Sequence, residues 1–275
     1  TVKPRAALLL NVMRDQLDRF GEIDYTASLL HKVARATTGT VVLNADDPRL
    51  AAPSFRADLR ADVRGFAVSP QLRSVFLSDD ELHDSLDGCT LGQPKKDAEA
   101  KADTEAPLDS VKEPGQGEPD AVAAESPAKA KPAEKPAQPL EIVATLEEMS
   151  GRHAVIDLAG HRHEVDFAIP GAHNILNATA AMGLVKELLG ERTNEEALAA
   201  SAAKVTAAFG RGELLSIDGQ EVELGLVKNP AGFRMSLLSA AAVRSQQPPL
   251  IMIAINDQYA DGRDMSWLWD VDFTP

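Results

Sequence analysis

The sequence predicts an α/β fold resting on a parallel sheet, with a β-hairpin part beside it. Three observations carry this. A strand, a helix and a second strand follow one another between Arg5 and Pro48; two alternating runs meet at Ala159-Gly160; and two helical stretches follow before strand patterns return after Gly210. Strand, helix, strand over so short a span is a βαβ unit, whose strands lie parallel and are covered on both faces.

"RAALLLNV" (Arg5 to Val12) and "GTVVLNADDP" (Gly39 to Pro48) are apolar runs of strand length, as expected of strands buried on both sides. Between them "DYTASLLHKVARAT" has helical spacing, with Leu29, Leu30 and Val33 on one face. Residues 93–139 hold no aromatic and only Leu108, Val111 and Val122 as large aliphatics. Such a stretch buries too little apolar surface to offset its ordering entropy, and it is expected to be a disordered insertion. Order resumes with "HAVIDLAGHRHEVDFAIPG", a hairpin pattern. "HNILNATAAMGLVKELLG" is a helix closed by Gly190, and "TNEEALAASAAKVTAAF" a second one, capped by Thr193 or Asn194. "ELLSIDGQEVELGLV" is another hairpin turning at Asp218-Gly219, and the helix "AGFRMSLLSAAAVRS" and the strand "PLIMIAIND" come after it. The expected division is a first domain in two parts, 1–92 and 140–208, around the 93–139 insertion, then a second domain over 209–275.

The bulk properties narrow the function classes. The chain has 275 residues, 44% hydrophobic, with a net charge of -14. That charge argues against a nucleic-acid or anionic-membrane binder, which needs clustered Lys and Arg. One cysteine, Cys89, allows no internal disulfide and no cysteine-based zinc site, and it has no local histidine to make it a nucleophile. No apolar run reaches membrane-span length and no signal peptide opens the chain, so a cytoplasmic protein is expected. The opening "TVKPRAALLLNV" already reads as a strand, so the chain is expected to begin inside a domain.

Four polar clusters stand at predicted strand ends, where α/β proteins keep their sites. They are Asn11, Arg14, Asp15, Gln16 and Asp18; Asn44, Asp46 and Asp47; "KNPAG" (Lys228 to Gly232); and the closing "IAINDQYADGRDMSWLWDVDF". Paired carboxylates at strand ends commonly hold Mg²⁺ or sugar hydroxyls. For any one cluster the plain alternative is a polar loop with a helix cap. In "PGAHNILNA", His173, Asn174 and Asn177 share neighbouring parts of one helix face, and Asn side chains suit an adenine edge. Asn174 alone could be an N-cap. "HRH" puts His161 and His163 on one strand face without a third ligand, which favours a solvent-facing strand over a metal pair, and Asp79, Asp80 and Glu81 are expected to be solvated. No G-x-x-x-x-G-K-[ST] phosphate loop occurs in the chain.

The motifs "NVMRDQLDRFGEID", "VVLNADDP", "PGAHNILNATAA", "GRGE", "LVKNPAGF" and "AINDQYADGRDMSWLWDVDF", in this order, resemble the Mur ligase superfamily, and within it the MurT group of synthetase subunits. The resemblance implies a Mur ligase central ATPase-type domain, incomplete here, followed by the start of a Rossmann-like C-terminal domain. It also implies ATP-dependent activation of the D-glutamate α-carboxylate in the lipid II stem peptide through an acyl phosphate. Ammonia from a GatD-type glutaminase, bound as a heterodimer, then gives D-isoglutamine for peptidoglycan. Carried over by position, His173, Asn174 and Asn177 resemble the adenine-contacting helix start. Asn44 and Asp47 resemble a motif lining the same cleft, Arg211 the inter-domain hinge, and Lys228 and Asn229 residues facing the cleft from the C-terminal side. Gln16 stands where amino-acid-adding relatives have a metal-binding histidine, so Mg²⁺, expected with ATP, has an incomplete site. Lys32 is only weakly placed as a carbamylated lysine. Where many relatives carry a four-cysteine zinc ribbon this chain has the low-complexity tract, and no zinc is expected.

The closing stretch contains both tryptophans, Trp267 and Trp269, among Asp257, Asp261, Asp264, Asp270 and Asp272. A glutamine amidotransferase needs Cys, His and a carboxylate that orients the His. The resemblance implies that the glutaminase supplies the first two and this chain the third, expected to be Asp270 with Asp264 behind it. Aromatics framing an exposed acid suit an interface anchor; the plain alternative is core tryptophans beside a solvated loop. With the phosphate loop expected before Thr1 and the rest of the last domain after Pro275, the chain is expected to be a piece of the subunit, inactive on ATP by itself. Two other readings stay open: a non-catalytic nucleotide-binding scaffold, and an amino-acid-adding Mur or folylpolyglutamate-type ligase.

Overall fold

Six strands form one sheet whose spatial order repeats their order in the chain. They are β1 (Ala6–Leu9), β2 (Thr40–Asn44), β3 (Asp62–Val68), β4 (Ile142–Ser150), β5 (His153–Leu158) and β6 (His161–Asp166). The computed structural model describes residues 2–14, 23–82, 139–207, 210–242, 250–255 and 266–271. The insertion (save Pro139), Asp15, Gln16, Asp18, Cys89, Asp264 and the side chain of Asp270 lie outside the described residues.

Strands β1 to β4 pair in parallel, as the βαβ reading requires, and β4 to β6 antiparallel. Helix α1 (Ile23–Ala36) makes the first crossover, and two short helices, α2 (Pro48–Ala51) and α3 (Pro53–Arg56), follow β2. It buries Ile23 and Ala34, with Ala27 and Leu30 packed against the same core, while Val33 is exposed. The predicted Leu29–Leu30–Val33 face is thus rotated, because small alanines let the helix approach the sheet more closely than large side chains would. The hairpin from β5 to β6 turns at Ala159 and Gly160, both at positive φ. This is the handedness that matches strand twist. Asp218 and Gly219 repeat it between β7 (Arg211–Ile217) and β8 (Gln220–Gly225), which form a separate two-stranded sheet.

Two central strands were not legible beforehand. β3 carries Gly65 at a register shift against β4, where an added Cβ would lie 2.7 Å from Ile142 Cδ1. β4 has a polar second half and pairs with residues more than 70 positions earlier. The expected strand "PLIMIAIND" is not found. Residues 250–255 have no strand pairing and are exposed, Leu250 fully. A strand is stable only as part of a ladder, and among the described residues nothing pairs with this run.

Helix α4 (Ala172–Leu189) lies across the sheet and buries Ile175, Thr179, Ala180, Met182 and Gly183. It ends as predicted at Gly190 (φ 56°), whose N–H bonds the Lys186 carbonyl. Helix α5 (Glu195–Ala203) is capped by Asn194, which accepts from the Ala197 N–H at 2.9 Å. His161 and His163 do not simply face solvent. Both reach Glu195 Oε2, at 2.8 and 3.2 Å, and Lys186 takes the other oxygen. This knot ties β6, α4 and α5 together. The Lys186 hydrogen bond, followed by those of the two histidines, lowers the Glu195 pKa to about 2.

Two tests follow from this packing. At Gly183 an added Cβ would sit 3.0 Å from Ala144 Cβ and 3.2 Å from Val143 Cγ2. Gly183→Val should therefore lower unfolding free energy by about 1–3 kcal/mol in urea titration; an unchanged midpoint would show that α4 is not seated on β4. The Glu195 carboxylate, lowered from 4.5 to about 2, contributes stability in full above pH 4.5 and loses it as pH falls towards 2. Thermal melts should show Glu195→Gln less stable than the native chain at pH 6, with the gap closing by about pH 2.

Candidate functional site

The carboxyl ends of β1, β2 and β3 open into a cleft lined by Asn11, Met13, Asn44, Asp46, Asp47 and Val68, closed by Phe76, Leu77, Ser78 and, from α4, Leu176. Asn11 of the first predicted cluster therefore meets Asn44, Asp46 and Asp47 of the second here. Their carboxylates point into the protein. Asp47 is 4% exposed. Its Oδ2 accepts from the Val12 N–H at 2.6 Å, and its Oδ1 caps the short helix Pro48–Ala51 through Arg49 N and Leu50 N, each at 3.0 Å. Asp46 accepts from Val68 N at 2.7 Å and pairs with Arg73. Burial raises the pKa of both, against the pull of these donors. Asn44 uses its side-chain oxygen locally, on the Asp46 N–H at 2.9 Å.

In the acidic run Asp80 and Glu81 are exposed, as expected, but Asp79 is not. Asp79 is buried, accepts from Arg14 N at 2.8 Å and pairs with Arg14 Nε at 3.2 Å. Asp80 pairs with Arg49 at 2.9 Å. Ser78 and Glu81 form a capping box: Glu81 Oε2 accepts from Ser78 N at 2.7 Å, and Glu81 N donates to Ser78 Oγ at 3.3 Å. Residues 73–79 are thus a wall fixed to the strand ends. The sequence reading missed this wall, although the S-x-x-E signature of its cap was visible.

The "PGAHNILNA" and "GRG" motifs also meet. Gly171 (φ 96°) caps α4, so Asn174 is not the N-cap; its Nδ2 donates to the Pro170 carbonyl at 2.7 Å. Gly212 (φ 81°) faces Pro170 so closely that a Cβ would be 3.3 Å from its ring. His173 Nδ1 is buried and has no hydrogen-bond partner among the described residues. Burial, and then the charge of Arg211, lowers the His173 pKa and keeps the ring neutral. Asn177 is exposed one helical turn on. Asn229 caps helix α6 (Pro230–Ala242) by accepting from Gly232 N at 2.8 Å, and Lys228, half-buried, precedes it.

At the tail, residues 266–270 form a 3-10 turn. Trp267 packs on buried Phe233 of α6, ring centroids 6.2 Å apart, whereas Trp269 is 90% exposed and Val271 buried. One tryptophan anchors the turn and the other is presented to solvent, next to the backbone of Asp270.

These placements separate structural ties from exposed polar groups. Asp47→Ala should cost about 2 kcal/mol or more in chemical denaturation, since it strands three backbone donors. Asn177→Ala should stay within about 0.5 kcal/mol of the parent.

Comparison with known proteins agrees with this architecture. Residues 226–275 match the family described as MurT ligase C-terminal. The chain is 27% identical over 274 residues to the lipid II isoglutaminyl synthase (glutamine-hydrolyzing) subunit MurT of Streptococcus pneumoniae, covering 99% of this chain and 54% of that protein. It therefore spans about half the length of that curated relative. Among solved structures, MurF from Acinetobacter baumannii superposes with a TM-score of 0.53 over 88% of this chain and 38% of that one, at 14% identity. MurF ligase from Thermotoga maritima, in complex with ADP, gives 0.50 over 87% and 39%, also at 14% identity. The chain has the Mur ligase fold, resembles the MurT subunit along nearly all of its length, and over residues 226–275 matches the MurT ligase C-terminal family.

Proposed function

We propose that this chain is part of the synthetase subunit of a lipid II isoglutaminyl synthase. In this reading ATP activates the α-carboxylate of the stem-peptide D-glutamate, and ammonia from a GatD-type glutaminase converts it to the amide. The reaction belongs to peptidoglycan synthesis, in the cytoplasm at the inner membrane face. The division into 1–92 with 140–208 and 209–275 is retained as the corresponding pair of domains. The observation that carries the reading is the turn 266–270, pinned by Trp267 on Phe233 yet presenting Trp269, within the segment matching the MurT C-terminal family.

The residues present fit a purine nucleotide at its base end. His173 offers a half-buried neutral ring whose Nδ1 has no hydrogen-bond partner among the described residues. Gly171 and Gly212 leave room for the His173, Asn174 and Pro170 side chains packed against them, and Asn177 is exposed along the same helix. His173, Asn174 and Asn177 would hold the base, Asn44 would line the cleft behind it, and Arg211, Lys228 and Asn229 would approach from the C-terminal side. Asp47 shapes the cleft rather than touching the ligand, because its oxygens are committed to the backbone. Bound ATP supplies the phosphoryl group that activates the carboxylate. Mg²⁺ fits less well: among the described residues no group of three metal-ligating side chains converges, and Asp46 and Asp47 are already engaged. No step is assigned to it.

At the tail, Asp270 is proposed to orient the glutaminase histidine, with Asp264 next in line, and Trp269 to seat in the partner. With the chain co-expressed beside a GatD-type glutaminase, Asp270→Asn should lower glutamine hydrolysis on the order of 10³–10⁴-fold while the two proteins still co-purify. Trp269→Ala should weaken the complex by about tenfold or more. Full hydrolysis in the Asp270→Asn complex would remove the role given to that carboxylate.

A further inference from the structure

The cleft wall at residues 73–79 is held by three arginines, one of which comes from the far end of the chain. Arg73 pairs with Asp46 at the end of β2, and Arg14, after β1, pairs with Asp79. Between these two ties the wall has a third hold. Arg234 of α6 donates from Nη1 to the Val75 carbonyl at 2.9 Å and from Nη2 to the Ser74 carbonyl at 3.1 Å. The N–H groups of Val75 and Phe76 turn the other way and bond the Leu72 carbonyl, at 2.9 and 3.3 Å. The main chain here therefore keeps its donors for itself and gives two successive carbonyls to one guanidinium. The planar fork of arginine suits that pattern, and a lysine ammonium does not reproduce it. The guanidinium is partly buried, and burial lowers its pKa. A half-buried charge aimed at two neutral acceptors is retained for position rather than for solubility.

What the wall does next makes this consequential. Phe76, Leu77 and Ser78, immediately after the two bonded carbonyls, line the cleft. The residue before Arg234, Phe233, is the one on which Trp267 packs. Adjacent positions of α6 thus touch the tail turn and the cleft wall.

We infer that Arg234 is a positioning residue: it clamps residues 74 and 75 so that the C-terminal segment carrying the tail sets the shape of the cleft. A ligand gripped by the wall then stabilises the seating of α6, and the seating of α6 tightens the ligand, by reciprocal linkage. This deepens the proposed nucleotide reading, but the clamp is testable without any ligand.

The test is amide hydrogen exchange on the full 275-residue chain with Arg234→Ala, Arg234→Lys and, as a control on the exposed side of the same helix, Leu238→Ala. Arg234→Ala should speed exchange several-fold in peptides covering 72–79 and leave β4 to β6 unchanged. Arg234→Lys should fall between alanine and the native residue, and Leu238→Ala should match the native chain. Unchanged exchange at 72–79, or faster exchange spread evenly over the sheet, overturns the inference. A parallel titration with ADP should show Arg234→Ala binding about tenfold more weakly. A native chain that binds no ADP would count against the nucleotide reading alone, because the exchange result still decides the clamp.

Discussion

The carboxylate of Asp47 is the constraint on which the edge of this sheet depends. A parallel pair leaves its strand ends to loops, whose backbone donors need partners once they are buried. Asp47 meets that need at one point. It takes the Val12 N–H from the chain leaving β1 and two N–H groups from the helix that follows β2. Two loops that would otherwise diverge are held side by side, and the cleft is the space between them. The ionised form is costly in so buried a place, as the raised pKa records, and three donors offset that cost.

The same logic extends along the edge. Asp46 binds the start of the β3 exit loop, Asp79 binds the β1 exit loop, and arginines close the set. Residues that look like a ligand-binding acid cluster in one dimension are the frame of the cleft in three. Polar groups still open to a ligand then stand on α4, where helix geometry rather than loop chemistry aims them. His173 is neutral because it is half-buried and near Arg211, so it offers one acceptor and one donor instead of a charge. That is the character of a base-recognising group, whereas a phosphate site would need cations or a run of backbone amides.

Much of the fold was legible because its signals are local. Apolar runs gave β1 and β2, the Ala159-Gly160 and Asp218-Gly219 turns gave both hairpins, and Gly190 ended α4. What failed was non-local. β4 gains strand character from pairing with β3 across the long insertion, and Gly65 hides β3 by standing where Ile142 and Leu140 crowd in. The α1 face was misjudged because Ala27 and Ala34 weigh little in a hydrophobic pattern although they pack closely. Of the candidate site, the residue types at strand ends and the gathering of both tryptophans in the tail were suggested by sequence, whereas the packing of Trp267 and the exposure of Trp269 were not. The partner of Asp79 is 65 residues away and the partner of Val75 is 159 away, and no spacing rule reaches that far.

The proposed nucleotide site requires the Asn44 edge, beside the wall that ends at Ser78, and the His173 helix start to bind one ligand together. Backbone amide chemical shifts recorded during ADP titration test this directly. Saturable shifts are expected at Asn44, at residues 76–79 and at 173–177 with a single binding constant, while β6 and the turn at Asp218 stay still. Saturable shifts that leave 44 and 173–177 untouched and gather elsewhere would contradict it.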